Sequence, residues 1–250
     1  MIWVYLPLIF IFGALLTSFF HVIALRIPNQ ESINGRSYCP NCHHQLRLID
    51  IFPIFGYLIN KGRCHFCKLP IPISHLLLEI LGGGLFVFAY LMIGFELELV
   101  IALILISVFL IESISDAHYM IVIDRIWMIG IVPIIAIRII EGDILKYLLS
   151  SVILFTILYG FAWLGKKMYH KEAFGGGDVK IYIFIGFCLT WTMGIFSLFI
   201  ASLFGLLYGV SRKQKGSSEI PLIPFIFIGV LIAYFYGEVL INWYLNLLGV

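Results

Sequence analysis

Charge is what this chain has least of. Lys, Arg, Asp and Glu make up 12% of its 250 residues, against roughly 25% in a soluble domain, so water is not its main solvent. A hydrophobic content of 62% and a mean hydropathy of +1.05 point to lipid instead. The net charge of +2 gives no ground for a nucleic-acid partner. The chain also lacks a basic segment ahead of its first apolar run and a small-residue cleavage site after it, so that run reads as a retained span rather than a signal peptide. Neither a His-Glu-x-x-His helix nor a Ser/His/Asp spacing occurs, and no glycine-rich fingerprint sits on a βαβ unit.

What is present is a series of membrane-length apolar runs. Stretches of about 17 to 25 such residues read as spanning helices. Eight are expected: Ile2–Leu25, Ser74–Phe95, Leu97–Ser115, Ile121–Ile139, Ile144–Leu164, the short Val179–Leu189, Thr192–Ser211 and Leu222–Leu240. The expected fold is therefore all-α, a polytopic integral membrane protein with one extended polar loop. Orientation follows from the basic residues, which stay on the cytoplasmic side. One face collects Arg26, Arg36, Arg47, Lys61, Arg63, Lys68, Arg125, Lys166, Lys167, Lys171, Lys180, Arg212, Lys213 and Lys215; the other holds Arg138 and Lys146. Both termini are thus expected outside and the polar loop inside. Trp3, Trp163, Trp191 and Trp243 fall near the expected interfaces, where Trp belongs.

The loop, residues 28–73, carries Cys39-Pro-Asn-Cys42 and Cys64-His-Phe-Cys67. Two Cys-x-x-Cys pairs separated by 21 residues have the spacing of a four-thiolate zinc site. A reducing cytoplasm disfavours the disulfide alternative. His43, His44 and His65 stand beside the cysteines and could substitute as ligands, but the favoured reading makes them surface residues of the loop. Four thiolates leave no open coordination position, so the zinc is expected to be structural. Between the pairs, Leu48–Ile59 is too short to span and carries Asp50 and Pro53; it reads as an interfacial segment packing the loop onto the bilayer. Cys188 lies in apolar sequence and is assigned no function.

Acids in or beside spans are expensive and invite a functional reading. Asp178 follows Gly175-Gly176-Gly177 at the mouth of the sixth run, and Asp116 ends the third. Glycines there let the chain turn sharply and let another helix approach. Two carboxylates sharing a proton can activate one water against an amide, one as base and one as acid. The helix dipole favours charge on Asp178, in a first turn, over Asp116, in a last turn, so Asp178 is expected to be the more acidic and Asp116 the proton holder. Asp178 as a mere helix cap is the competing reading. Asp124 reads as a first-turn acid of the fourth span. Glu112 lies one turn from Asp116 and could line a cavity or pair with His118. His75 and Glu79 form a similar polar pair in the second span.

Taken together, the zinc-loop cysteines, an Asp at the cytoplasmic edge and a Gly-x-Gly-Asp resemble the bacterial type IV prepilin peptidases over nearly the whole chain. Thr17–Pro28 is similar to the family's opening motif, and the cysteine loop, Leu76-Leu77-Leu78-Glu79 and Gly175–Lys180 follow in family order. The segment Ser115–Asp124 resembles the family's first catalytic-Asp segment, which maps the catalytic aspartates onto Asp116 and Asp178. The length and Asp116-Ala-His-Tyr-Met120 resemble most closely the competence-type enzyme of Gram-positive bacteria. Thr17, His21 and Ile123-Asp124 depart from the family pattern, where Gly, Asn and Pro-Asn or Pro-Asp are usual. The resemblance implies a bifunctional enzyme. It would cut the basic leader of prepilins or pseudopilins after a glycine, then N-methylate the exposed residue, commonly Phe, with S-adenosylmethionine. The implied division is a first span (1–27), the zinc loop (28–73) and a membrane-embedded aspartyl peptidase domain (74–250).

Three rival readings are a peptidase without methyltransferase activity, a proton-coupled transporter and a non-catalytic zinc-loop scaffold. A transporter calls for acids near mid-bilayer and internal repeats, whereas the acids here lie at one edge. A scaffold leaves the glycine-flanked Asp178 unexplained.

Overall fold

The computed structural model describes residues 2–39, 41–169, 175–211 and 220–248. Lys171, Arg212, Lys213 and Lys215, which contribute to the orientation argument, lie outside the described residues. Helices appear at all eight positions of the apolar runs: α1 (Ile2–Arg26), α4 (Ile73–Ile93), α5 (Leu97–Tyr119), α6 (Asp124–Glu141), α7 (Ile144–Tyr169), α8 (Gly176–Cys188), α9 (Trp191–Ser211) and α10 (Ile223–Leu248). Two short helices, α2 (Leu48–Ile51) and α3 (Phe55–Ile59), occupy the polar loop. Among the described residues no strand forms beyond the isolated bridges Tyr38–Gln45 and Arg63–Pro70.

Among the described residues, six helices (α1, α4, α5, α7, α9 and α10) are long and apolar enough to cross a membrane. The protein is therefore a multi-pass membrane protein, but eight full spans are not seen. Helix α6 has 18 residues and carries Asp124, Arg125, Arg138 and Glu141. Helix α8 has 13 residues, about 20 Å at 1.5 Å per residue, less than the ~30 Å hydrocarbon core.

The chain forms two compact units, Met1–Ile111 and Glu112–Val250. In the first, α1 packs along α4 through Ala14, Thr17 and Ala24, with Phe86 and Ala89 buried opposite. In the second, α8 packs on α7 and α6, and α9 on α10. The α7–α8 contact is close because Gly186 has no Cβ: a methyl there would overlap the Ser151 backbone. The Ser151 hydroxyl donates to the Ile183 carbonyl across the same seam (2.9 Å).

The far end of α8 is held by a charge. Arg138 is 2% exposed, and its guanidinium donates to the Cys188 carbonyl (3.2 Å) and, more weakly, to that of Phe187 (3.4 Å). These are terminal carbonyls that a helix cannot satisfy itself. Arg138 also pairs with Glu141 (2.8 Å) and lies 3.7 Å from the Tyr147 ring centroid. In the sequence it reads as an outer-face charge; in the fold it is a buried C-terminal anchor.

Candidate active site

Asp178 is the third residue of α8, after Gly175 as N-cap. Its half-buried carboxylate faces the Gly175 N–H, which is the acid half of a capping box. The side chain therefore lies against the N-terminus of its own helix, and it also lies within Coulombic reach of Asp116. The glycines differ in what they do. A Cβ on Gly177 would meet Val122 at 2.7 Å, whereas one on Gly176 would meet nothing within 4 Å. The close approach at Gly177 is made by the loop between α5 and α6, not by another helix.

That loop is clasped from both ends. Met120 leaves α5 with a left-handed φ of 55°. The Ser115 hydroxyl donates to the Ile121 carbonyl (2.8 Å), and the Ile123 N–H donates to Glu112 Oε2 (2.8 Å). Glu112 is fully buried, and its Oε1 has no hydrogen-bond partner among the described residues. Its visible work is to fix the N-cap of α6. Asp124, the first residue of α6, pairs with Lys180 (2.7 Å) and accepts from the Trp127 indole (3.3 Å), which fits a first-turn acid. Lys180 lies two residues after Asp178, so this pair ties the starts of α6 and α8 together.

Asp116 is 6% exposed and accepts the Ile223 N–H through Oδ2 (2.9 Å), with the Leu222 N–H also directed at it. These groups begin α10, where a helix presents unsatisfied donors and the positive end of its dipole. The sequence reasoning missed this partner. Its signal was Pro221 and Pro224, which mark a helix start. The dipole asymmetry expected between the two acids is consequently absent, because Asp116 has a helix N-terminus of its own. The geometry therefore does not single out Asp116 as the proton holder.

The first unit holds two further clusters. The Sγ atoms of Cys39, Cys42, Cys64 and Cys67 all lie within 4.8 Å of one another, and Cys39 and Cys67 are 3.9 Å apart. A tetrahedron with Zn–S bonds of about 2.3 Å has edges of about 3.8 Å, so the donor set fits that ion. All four thiols are free of disulfides. The two halves repeat each other. Cys39 N–H bonds the His44 carbonyl and His43 N–H the Cys39 carbonyl; Cys64 pairs likewise with Leu69 and Lys68, with left-handed φ at His43 and Lys68. His44 and His65 flank the Phe66 ring.

The second cluster joins three elements. The His21 and His75 rings stack at 4.1 Å, and Glu79 lies one turn beyond His75 on α4. Glu79 accepts the Ile54 N–H (2.7 Å) and the Ser18 hydroxyl. Ile54 sits between α2 and α3 at φ 64°, ψ −55°, with Phe55 N–H bonded to the Pro53 carbonyl (2.6 Å). That is a left-handed γ-turn, a rare and strained form, and strain is greatest for a β-branched residue.

Comparison with known proteins matches this layout. The description "Bacterial Peptidase A24 N-terminal domain" fits residues 11–93, and "Type IV leader peptidase family" fits residues 103–210. The prepilin leader peptidase/N-methyltransferase of Bacillus subtilis (strain 168) is 32% identical over 249 residues, covering 97% of this chain and 98% of the relative. Proteins of the same name from Myxococcus xanthus (strain DK1622) and Aeromonas hydrophila are 30% and 24% identical, over 81% and 98% of this chain and 61% and 95% of theirs. No solved structure matches the chain. On the strength of the full-length relative and the two matched regions, this chain belongs to the type IV leader peptidase family.

Proposed function

We propose that the protein is a membrane aspartic endopeptidase. It cuts the basic leader of type IV prepilins or pseudopilins after a glycine, at the cytoplasmic membrane face, and then N-methylates the new N-terminal residue. Asp116 and Asp178 carry this reading: Asp116 accepts the Ile223 N–H at the start of α10, Asp178 faces the Gly175 N–H at the start of α8, and the two lie within Coulombic reach. Like charges so placed share one proton. The ionised member takes a proton from a water, which attacks the scissile carbonyl, while the protonated member donates to the leaving amine. Glu112 and Ser115 position the α5–α6 loop, and through Gly177 the start of α8 as well.

The substrate's apolar helix would remain in the bilayer while its basic leader reaches the acids. S-adenosylmethionine, when bound, supplies the methyl group. Zinc on Cys39, Cys42, Cys64 and Cys67 folds a loop too small for its own core. The apolar side chains of α2 and α3, with Leu48 87% exposed, seat that loop on the lipid surface. Within the division 1–27, 28–73 and 74–250, the last segment carries both catalytic acids.

Incubating the purified protein with a pilin-like peptide tests the activity. Cleavage after the glycine is expected, followed by methylation of the product once donor is added; an intact peptide contradicts the reading. Reporter fusions after Lys68 and Val250 test orientation, with the first expected inside and the second outside.

A further inference from the structure

The two carboxylates of the second unit account for hydrolysis, but a methyl transfer to an amine needs something else. The α-ammonium must be held and must lose a proton before its nitrogen can attack. Glu79, His21 and His75 are polar groups of the first unit that the peptidase mechanism does not use. Glu79 is half-buried, and its Oε2 is fixed by a backbone N–H from a strained turn. The neighbouring imidazoles stack at 4.1 Å, and His21 is 8% exposed. The same unit has a groove of about 540 Å³ walled by Phe10 and Ile11 of α1, Val87 of α4, and Phe52, Ile54 and Phe55 of the α2–α3 hairpin. That volume is in the range of small-ligand sites, and its walls are almost wholly apolar. Ile54 joins the two features: it is one of the residues that line the groove, and its N–H bonds Glu79.

We propose that Glu79 is the catalytic carboxylate that holds the α-ammonium of the newly cut chain and accepts its proton for methyl transfer, with the groove receiving the apolar residue that bears this amine. This rests on the methyltransferase reading and deepens it. A carboxylate complements an ammonium with charge-assisted hydrogen bonds, and an apolar groove that shares Ile54 with it suits a chain that begins with an apolar residue. His75, on the same face of α4, and His21, stacked on it, close the polar side of the site as positioning residues. In the step, the ammonium proton passes to Glu79 and the freed nitrogen lone pair forms the N–C bond. The C–S bond breaks with its electron pair left on sulfur, so a sulfonium donor departs as a neutral thioether. The product remains a methylammonium, and Glu79 returns its proton to water.

The plainer role for Glu79 is to satisfy the Ile54 N–H. Glu79→Gln separates the two, because the amide oxygen still accepts that bond while the charge is gone. The expected result is a full-length protein that inserts and cuts a pilin-like peptide normally but methylates the product at least about tenfold more slowly. A second readout needs no methyl donor. An apolar peptide starting with Phe should bind wild-type protein about ten- to hundredfold more tightly with a free N-terminal amine than when N-acetylated, the size of a hydrogen-bonded charge contact. Glu79→Gln should erase that preference. Unchanged methylation in Glu79→Gln, or equal binding of the two peptides by the wild type, overturns the proposal. Wild-type protein that cuts but never methylates overturns the methyltransferase reading instead, and the peptide comparison still decides whether Glu79 holds the amine. Should Glu79→Gln fail to insert, the wild-type peptide comparison stands alone as the decisive result.

Discussion

Arg138→Ala would remove a side chain far in sequence from either proposed catalytic acid, yet it should be among the most damaging substitutions in the second unit. Phe187 and Cys188 are 7% and 2% exposed, so without the guanidinium their carbonyls lose a donor where water is scarce. The 3.2 Å bond to Cys188 is worth about 1.5–3 kcal/mol as a charged-donor contact, and the 3.4 Å contact to Phe187 about half that. The guanidinium over Tyr147 adds roughly 1–2 kcal/mol. The partly exposed pairing with Glu141 adds at most about 1 kcal/mol. The total is about 5 kcal/mol, at the upper end of the range for breaking a buried ionic contact. At roughly 2–4 °C per kcal/mol for a unit of this size, thermal unfolding in detergent should fall by about 10–20 °C. Arg138→Lys should recover part of this, since a single ammonium cannot reach both carbonyls and the ring at once. Below the lowered transition both variants should still cleave, because Arg138 anchors the C-terminus of α8 and Asp178 lies at the other end. A melting point within about 2 °C of wild type for Arg138→Ala would refute the reasoning.

Three further outcomes are expected. Gly177→Ala should lower cleavage at least tenfold, roughly the effect of a sub-ångström misplacement of catalytic groups, because its Cβ would meet the stiff Val122 side chain at 2.7 Å; Gly176→Ala, facing open space, should cleave normally. Purified protein should carry one zinc per chain by metal analysis, lost when any of Cys39, Cys42, Cys64 or Cys67 becomes Ser, with the loop turning protease-sensitive. Asp50 accepts two bonds from the Arg47 guanidinium and one from Asn60, and Arg47 above all holds its carboxyl below the usual carboxylate range. Its contribution to loop order is therefore fully present at neutral pH and lost only as pH falls below the ordinary value of about 3.9 toward the depressed one. Asp50→Asn should accordingly loosen the α2–α3 hairpin at pH 7 by limited proteolysis while zinc stays bound.

Much of this was legible in the sequence because hydrophobicity and cysteine spacing are local signals. Apolar runs placed the starts of the eight main helices to within a few residues, though α10 runs on to Leu248 past the expected Leu240, and the two Cys-x-x-Cys pairs announced a cluster that the fold closes. Asp116 and Asp178 were legible as acids at the ends of apolar runs. What stayed hidden depends on partners distant in the chain. The N–H of Ile223, 107 residues from Asp116, cannot be paired with it by any local pattern. Arg138 counted only as an outer-face charge because nothing local says that a helix C-terminus 49 residues later will arrive beside it. The γ-turn at Ile54 was invisible for a different reason: β-branched residues avoid left-handed backbone, so propensity argues against the conformation that Glu79 holds in place. Even the glycines before Asp178 were legible only in part. Their flexibility was plain, but that Gly177 is the one that admits Val122 required the packed loop.

The account turns on Asp116 and Asp178 acting as one catalytic pair, and the direct measurement is cleavage of a pilin-like peptide by Asp116→Asn and Asp178→Asn. Asparagine preserves what a structural role requires, since its carbonyl oxygen still accepts the Ile223 N–H at position 116 and still caps α8 at position 178. It cannot exchange a proton with water or the leaving amine. The pair predicts that each variant inserts, keeps its zinc and melts close to wild type, yet loses cleavage by several orders of magnitude, as expected when one member of a concerted acid–base set is removed. Substantial cleavage by either variant in a folded, zinc-loaded state would contradict the claim.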